Sequence, residues 1–424
     1  MIFPCIKPGT SELKLSDRFL LSNRKLWAIS IASLVRSFGF AATWPFMALY
    51  FEEVLGIPIS VVGIIFTLGS VVSIVFSLIG GGLADFIGRR NTLILGSAIS
   101  FLLFSSMSFI IQDKTLVVPV VILFILTSMG GAFVFPSASA LVSDVTDEKE
   151  RVNGFVVYRI LANLGWAVGP LAGSIIIVYG IHWIFILVSA CSILQGVIVA
   201  VFIRGRIRSK GYREVREKRK FGILAFDRFL LLFSFGTFFL TMVASQFSVT
   251  LPLYAGIFMN IPSSSIGYIY AVNGALVVIG QYPITNALKR FSDMVPMVLG
   301  TVFYSLGYLS VAFAGNLYGL MVSMAIITVG ENMTSPVMNS VVSKIAPEDK
   351  VARFMGFLGM TNSTGRALGP SIGAFLISAF LKNGIFVWLT VDIFGVLAVL
   401  IFIIFSGYSS RNGKRIDKGG PSGS

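Results

Sequence analysis

Long apolar stretches alternate along this chain with short polar ones. Apolar runs of about 20 residues, the length that crosses a hydrocarbon core as an α-helix, occur twelve times: Leu26 to Tyr50, Ile59 to Leu83, Thr92 to Ile111, Leu116 to Val142, Phe155 to Tyr179, Trp183 to Ile203, Phe229 to Phe258, Ile266 to Leu288, Met294 to Ala314, Leu317 to Val342, Phe354 to Leu381 and Ile385 to Phe405. They lack the alternation of barrel strands, and a lone chain in lipid must satisfy its backbone internally, so the pattern predicts helices. The longest polar stretch inside the chain, Arg204 to Lys220 (RGRIRSKGYREVREKRK), separates six runs from six. It predicts a connector that faces water and anionic lipid head groups.

Composition agrees with a bilayer as solvent: 55% of residues are hydrophobic and 12% charged. The formal charge of +14 raises the question of nucleic acid, and the placement of the basic residues answers it. Lys7, Lys14, Arg18, Arg24 and Lys25 precede the first run; Arg89, Arg90, Lys149, Arg151, Lys289 and Arg290 follow even-numbered ones, as do Lys344, Lys350 and Arg353; Arg411, Lys414, Arg415 and Lys418 close the chain. The opposite loops hold only Lys114 and Lys382. This bias accounts for the charge without nucleic acid, and it predicts a multi-pass protein of the cell membrane with both termini in the cytoplasm. The first run is too long for a removed signal peptide and lacks a cleavage site. Cys5 and Cys191 predict no disulfide, one histidine offers no metal cluster, and no phosphate-binding loop marks a self-contained ATP-driven pump.

Several short patterns recur at nearly one offset. Pro58 and Gly63 in IPISVVG match Pro262 and Gly267 in IPSSSIG; Asp85 and Arg89 match Asn286 and Arg290; GGAFVFPSASALVS around Pro136 matches GENMTSPVMNSVVS around Pro336. Gly165, Gly169, Pro170 and Gly173 in LGWAVGPLAG match Gly365, Gly369, Pro370 and Gly373 in TGRALGPSIG. Four pairs in register predict a duplicated six-helix unit, with a crevice between the copies that rocking exposes to each side in turn. The expected organisation is a lead over 1–25, a bundle over 26–203, a linker over 204–224, a second bundle over 225–408 and a tail over 409–424. In lipid, small residues every fourth position let backbones approach, and the proline bends the helix, so spans five and eleven are expected to pack tightly and flex.

GGLADFIGRR, with Gly81, Asp85, Gly88, Arg89 and Arg90, lies between spans two and three and resembles the signature G-x-L-A-D-[RK]-x-G-[RK]-[RK] of the major facilitator superfamily. Phe86 stands where a basic residue is usual. The glycine–proline pattern of span five resembles the antiporter motif of drug exporters in that superfamily, and Arg36 in span one resembles its drug:proton antiporter branch. The resemblance covers Leu26 to Phe405. It implies the major facilitator fold, an all-α integral membrane protein with twelve transmembrane helices in two pseudo-symmetric six-helix bundles. It also implies a gating latch: Asp85 accepting hydrogen bonds from the start of span eleven near Arg353, and Arg89 or Arg90 pairing with Asp144, which together hold the halves in an outward-open state.

Charges at membrane depth cost about 3 kcal/mol each on insertion scales, so each is a functional candidate. They are Arg36 in span one, Arg159 in span five, Glu331 in span ten, Arg366 in span eleven and Asp392 in span twelve. Counting from Lys344 and Arg353 at 1.5 Å per residue puts Glu331 and Arg366 both at a depth of roughly 20 Å, where they can pair. Thr328, Glu331, Ser335 and Asn339 share one helical face. The expectation is that Glu331 takes up and releases a proton while Arg366 biases its charge and meets the substrate, the alternative being a static salt bridge. Trp44, Asn163, Gln246 and Asn273 join them as cavity candidates, with helix–helix hydrogen bonding as the alternative role for the amides. Asp392 is either a second proton site or a locally bonded residue. A mildly positive, aromatic cavity favours anionic, zwitterionic or neutral amphipathic cargo over a permanent cation.

The expected protein is thus no enzyme but a proton-coupled secondary transporter working by alternating access. It needs no cofactor beyond the proton gradient and exports small amphipathic or drug-like compounds as a monomer among membrane lipids. The alternatives are a proton symporter importing an organic anion or sugar, and a membrane receptor or scaffold that does not transport.

Overall fold

The computed structural model describes residues 23–147, 150–203, 228–288, 290–347 and 351–411. Most of the expected lead and tail and the whole linker over 204–224 lie outside the described residues, as do Lys149 and Lys289. The first half comprises α1 (Arg24–Leu49), α2 (Ile59–Ile87), α3 (Arg89–Ile110), α4 (Val117–Val145), α5 (Arg151–Ile176) and α6 (Ile181–Phe202). The second comprises α7 (Arg228–Ala244), α8 (Thr250–Met259), α9 (Ser263–Leu288), α10 (Met294–Val311), α11 (Leu317–Ile345), α12 (Val351–Ala379) and α13 (Ile385–Arg411). No strand occurs among the described residues.

Ten of these helices are long and apolar enough to cross a bilayer. Two more, α11 and α12, have the length, 29 residues each, but their middle turns are diluted by Glu331, Asn332, Asn362 and Arg366. Span seven departs from its predicted continuous form. It is α7, a 3-10 turn over Ser245–Phe247, and then α8. Pro252 lies in the first turn of α8, a place that accepts a residue without an N–H, whereas Pro45, Pro136, Pro170, Pro283, Pro336 and Pro370 lie inside unbroken helices, so a proline alone does not account for the break. Span one runs past its predicted end into a π-helical turn over Tyr50–Val54. There Tyr50 Oη donates to the Ile111 carbonyl at 2.7 Å, fastening α1 to the end of α3.

The packing repeats between the halves. Helix α1 lies against α5 and α6, α3 against α4 and α6, and α2 against α4; in the second half α7 lies against α12 and α13, α10 against α11 and α13, and α9 against α11. The matched glycines show why. Gly165 and Gly169 face the Leu34 and Phe38 carbonyls of α1, and Gly365 and Gly369 face the Phe238 and Met242 carbonyls of α7. A methyl group at any of the four would intrude on neighbouring backbone, so these residues buy close approach inside each half.

Contacts between the halves are exchanged in the same way. Helix α2 crosses α12 and α9 crosses α5, with Gly63 against Pro370 and Ser371, and Gly267 against Pro170 and Ser174. Hydrogen bonds across this seam run from Thr67 Oγ1 to the Ala367 carbonyl at 2.5 Å and from the Gly267 N–H to Ser174 Oγ at 2.8 Å. All lie toward the end away from Arg89, Arg90, Arg151 and Lys344. At that basic end a cavity of about 870 Å³ separates the halves, reaching Ser139 and Phe155 on one side and Asn339 and Met355 on the other.

Candidate functional site

At mid-depth the cavity narrows into a chamber of about 600 Å³. Its wall is aromatic, from Trp44 on α1, Trp166 on α5 and Tyr304 and Tyr308 on α10, with Phe66 and Phe247 behind. Trp44 is held edge-on to Phe66 with ring centroids 5.1 Å apart, and against Phe40 at 5.1 Å. Beside the chamber lies an alcove of about 250 Å³ between α1, α2, α4 and α12. Phe40, Trp44, Ser70 and Arg366 line both, so the two spaces join.

Glu331 and Arg366 both face the chamber and the wider vestibule. They do not form an ion pair: among the described residues the salt bridges are Arg89–Asp144 and Lys344–Asp293. Glu331 turns instead toward α9, where Asn273 Nδ2 donates to its Oε2 at 2.9 Å and to Thr328 Oγ1 at 3.0 Å. The expected pairing from equal depth is therefore corrected by a neighbour on another helix, which no depth count reveals. Glu331 is the sole acidic side chain among the residues lining the chamber, vestibule and alcove, against Arg36, Arg159 and Arg366.

The other candidates separate by location. Arg36, half-buried on α1, lines alcove and vestibule, with its guanidinium 6.0 Å from the Phe40 ring centre. Arg159 lines the vestibule alone, and Asn163 lines vestibule and chamber. Gln246 is not a cavity group. It is fully buried, donating to the Met242 and Gly369 carbonyls at 3.0 and 3.1 Å and accepting from Thr250, so it ties the broken span seven to α12. Asp392 on α13 also lies away from the three spaces, with Oδ1 buried and unbonded near Gly395.

The signature stretch sits at the basic end. Gly88 joins α2 to α3 at φ 91°, a conformation that side-chain-bearing residues resist. Arg89 Nη1 lies 2.5 Å from Asp144 Oδ1 and donates to the Ala140 carbonyl at 3.1 Å, and Arg90 donates to the Ala200 carbonyl at 2.9 Å. These bonds knit α3 to α4 and α6 within one half and do not span the crevice. Asp85 is exposed and makes no hydrogen bond or ion pair among the described residues, as the separation of the halves at this end requires. Gly81 has open space around it.

Sequence reasoning missed the alcove hydroxyls, Ser70, Ser73, Thr127, Ser128 and Ser363. A signal existed: Ser70, Ser73 and Ser77 fall at helical spacing in an otherwise apolar span two.

The profile of the Major Facilitator Superfamily matches residues 29–370 and 259–421. Among curated relatives, the uncharacterized MFS-type transporter YttB of Bacillus subtilis (strain 168) is 25% identical over 366 residues, covering 84% of this chain and 89% of that protein. A Na(+), Li(+), K(+)/H(+) antiporter of Planococcus maritimus is 23% identical, covering 82% and 88%. The multidrug resistance protein MdtH of Aeromonas hydrophila is 24% identical, covering 89% and 94%. A crystal structure of a peptide transporter POT in complex with sulfate superposes with a TM-score of 0.74 at 17% identity, covering 93% of this chain and 96% of that one.

Proposed function

The chain belongs to the major facilitator superfamily, and from that premise we propose that it is a proton-coupled antiporter exporting small amphipathic compounds by alternating access. The observation that carries the proposal is Glu331: one carboxylate at mid-depth, in a chamber between two pseudo-symmetric bundles, facing the same space as Arg366. A carboxylate there keeps its charge best where a nearby cation offsets it. An anionic group that takes Arg366 therefore favours protonation of Glu331 and loads with the proton, whereas a cationic or neutral group that uses the carboxylate competes with the proton. The antiporter-like pattern in α5, and relatives named as a multidrug resistance protein and a cation/proton antiporter, favour export.

Orientation follows from charge. With the basic end in the cytoplasm, the termini lie there too, in the plasma membrane, and the conformation is open to the inside. The signature residues Gly81, Asp85, Gly88, Arg89, Arg90 and Asp144 then belong to the cytoplasmic gate, and Asp85 meets the start of α12 when that gate closes. The bundles over 26–203 and 225–408 rock as units on the linker over 204–224. A monomer contains the whole pathway, and the proton gradient replaces any cofactor.

A second reading, proton symport of an organic anion, is favoured by one observation: three arginines line the cavity against one carboxylate. One experiment separates the two. Internal pH is followed in proteoliposomes under an imposed gradient while lipophilic cations, neutral drugs, organic anions and sugars are added in turn, beside Glu331→Gln protein. Substrate-triggered proton flux that is lost in the variant is the expected result, and its sign distinguishes antiport from symport. Flux retained by Glu331→Gln removes the assigned role of Glu331, and binding without flux for every compound removes the coupled reading.

A further inference from the structure

Resting on that transporter reading, we propose that the alcove is an anion subsite. The substrate is an amphipathic anion whose carboxylate, sulfonate or phosphate head lies between Arg36 and Arg366, and whose apolar body lies in the aromatic chamber.

Size sorts the two spaces. Pockets for drug-sized ligands run to about 300–1,000 Å³; the chamber falls inside that range at about 600 Å³ and the alcove below it at about 250 Å³. The alcove thus suits a head group and the chamber a body. Charge decides which head group. Arg36 and Arg366 line the alcove and no acidic side chain does, while Glu331, the carboxylate of the neighbouring chamber, is engaged by Asn273 on α9. A cationic head would meet two guanidinium groups without a counter-charge, whereas an anionic head meets planar forks of donors that match its oxygens.

The hydroxyls agree with that sign. Thr127 and Ser70 donate to the Phe124 and Phe66 carbonyls of their own helices. Ser73, Ser128 and Ser363 make no hydrogen bond among the described residues, which leaves their hydroxyl protons for a ligand. A hydroxyl can donate as well as accept, so these three can serve an oxyanion beside the two guanidinium groups, which set the sign. The two arginines also come from opposite halves, Arg36 from α1 and Arg366 from α12. An anion between them replaces cation–cation repulsion with attraction to both bundles. Closure around a loaded head group is favoured over closure around an empty alcove, so the charge of the substrate becomes part of the gate.

The test uses the full chain in nanodiscs of phosphatidylcholine and three probes with a common 1-naphthyl body on a butyl arm ending in a carboxylate, a primary amide or an ammonium. Binding is read from quenching of tryptophan emission, since Trp44 and Trp166 stand in the chamber wall. The carboxylate is expected to bind about tenfold or more tightly than the amide, a difference of ~1.4 kcal/mol, and the ammonium weakest. Arg36→Gln and Arg366→Gln should each bring the acid-to-amide affinity ratio close to one, while Arg366→Lys retains part of the preference. Ser73→Leu, which fills the alcove and spares both arginines, should bring the acid down to the amide and serves where a glutamine variant fails to fold.

Equal affinity for acid and amide, preference for the ammonium, an acid preference that survives both glutamine variants, or no binding of any probe would each overturn the proposal. An anionic lipid carries the same head-group chemistry, so the titration is repeated in discs enriched in phosphatidylglycerol. Weaker binding of the carboxylate probe there, beyond the loss that Arg366→Gln protein shows in the same discs through repulsion by the anionic surface, identifies lipid as a source of the occupant, and an equal change in both proteins identifies a soluble anion. These equilibrium measurements need no transport. Selective acid binding without proton flux sinks the coupling reading and leaves the subsite standing, whereas coupled flux of cations alone does the reverse.

Discussion

Replacing Gly63 by alanine should shift the conformational equilibrium of the whole molecule. A Cβ at Gly63 would lie 2.7 Å from both the Ala374 Cβ and the Ser371 Cα and 3.0 Å from the Pro370 carbonyl oxygen. Two of these three are backbone atoms of α12, so no side chain can swing aside to relieve them. Overpacking of this kind costs about 1–3 kcal/mol. Because the crowded atoms belong to the opposite half, the cost falls only on the conformation closed at this end. The gain in helix propensity of alanine over glycine applies in both conformations and cancels from the equilibrium. The ratio of the two conformations therefore moves about 5- to 150-fold toward the one closed at the basic end. Spin labels at Asn91 and Asn286, with Cys5 and Cys191 replaced, report the separation of the basic ends by pulsed electron resonance. Shorter distances should gain population in Gly63→Ala. Gly165→Ala is the control, since its Cβ would meet the Phe38 nitrogen at 2.8 Å within the same half and should lower stability without moving the distances. An unchanged distribution in a folded Gly63→Ala protein, or an equal shift in the control, would refute the argument.

Two further substitutions separate scaffold from site. Asp144→Asn removes the ion pair with Arg89, whose side chains are only 13% and 18% exposed, and should cost about 1.5–3 kcal/mol, read as a lower melting temperature; in an Arg89→Leu background the same change should cost much less, and equal losses in both backgrounds would dissolve the pair. Gln246→Ala should destabilise the fold by about 1–3 kcal/mol, because it strips two carbonyls and Thr250 of a buried partner, while the acid-to-amide preference of the naphthyl probes stays as it was; an altered preference would return Gln246 to the cavity.

The spans, the duplication and the cavity arginines were legible in the residues because each depends on a property local to one helix: apolar length, the spacing of glycine and proline, the cost of charge at depth. What escaped depends on neighbours. Glu331 and Arg366 share a depth, yet rotation about the helix axis and the presence of Asn273 on α9 decide that the carboxylate bonds elsewhere. Gln246 has the same composition signal as a cavity amide, and only the close approach of Gly369 buries it. The break in span seven falls just before Pro252, and an apolar run reads through it. The alcove escaped for a further reason: its lining is shared among four helices, and only their packing brings those residues around one space.

The duplicated packing gives the cavity chemistry a frame in which its asymmetry can be placed. Phe38 and Met242 occupy equivalent places against the glycine motifs, which pairs Arg36 with Leu240, Trp44 with Ser248 and Trp166 with Arg366. The match of Pro136 with Pro336 pairs Gly131 with Glu331. Each position that is charged or aromatic in one half is thus something else in the other. Gly131 has a specific consequence, because a methyl group there would lie 2.8 Å from Arg36 Nη2. In the first half the glycine of α4 makes room for the arginine of α1; in the second the same two places hold Glu331 on α11 and Leu240 on α7. Exchange of the halves by the pseudo-axis therefore carries a cation's place onto a leucine and an acid's place onto a glycine. A symmetric backbone can rock about that axis with equivalent hinges on both sides, while a ligand inside it meets a field with a fixed direction. Under the proposed subsite, that direction holds the head of the cargo toward Arg36 and the alcove while its body reaches toward α9, α10 and the proton site at Glu331.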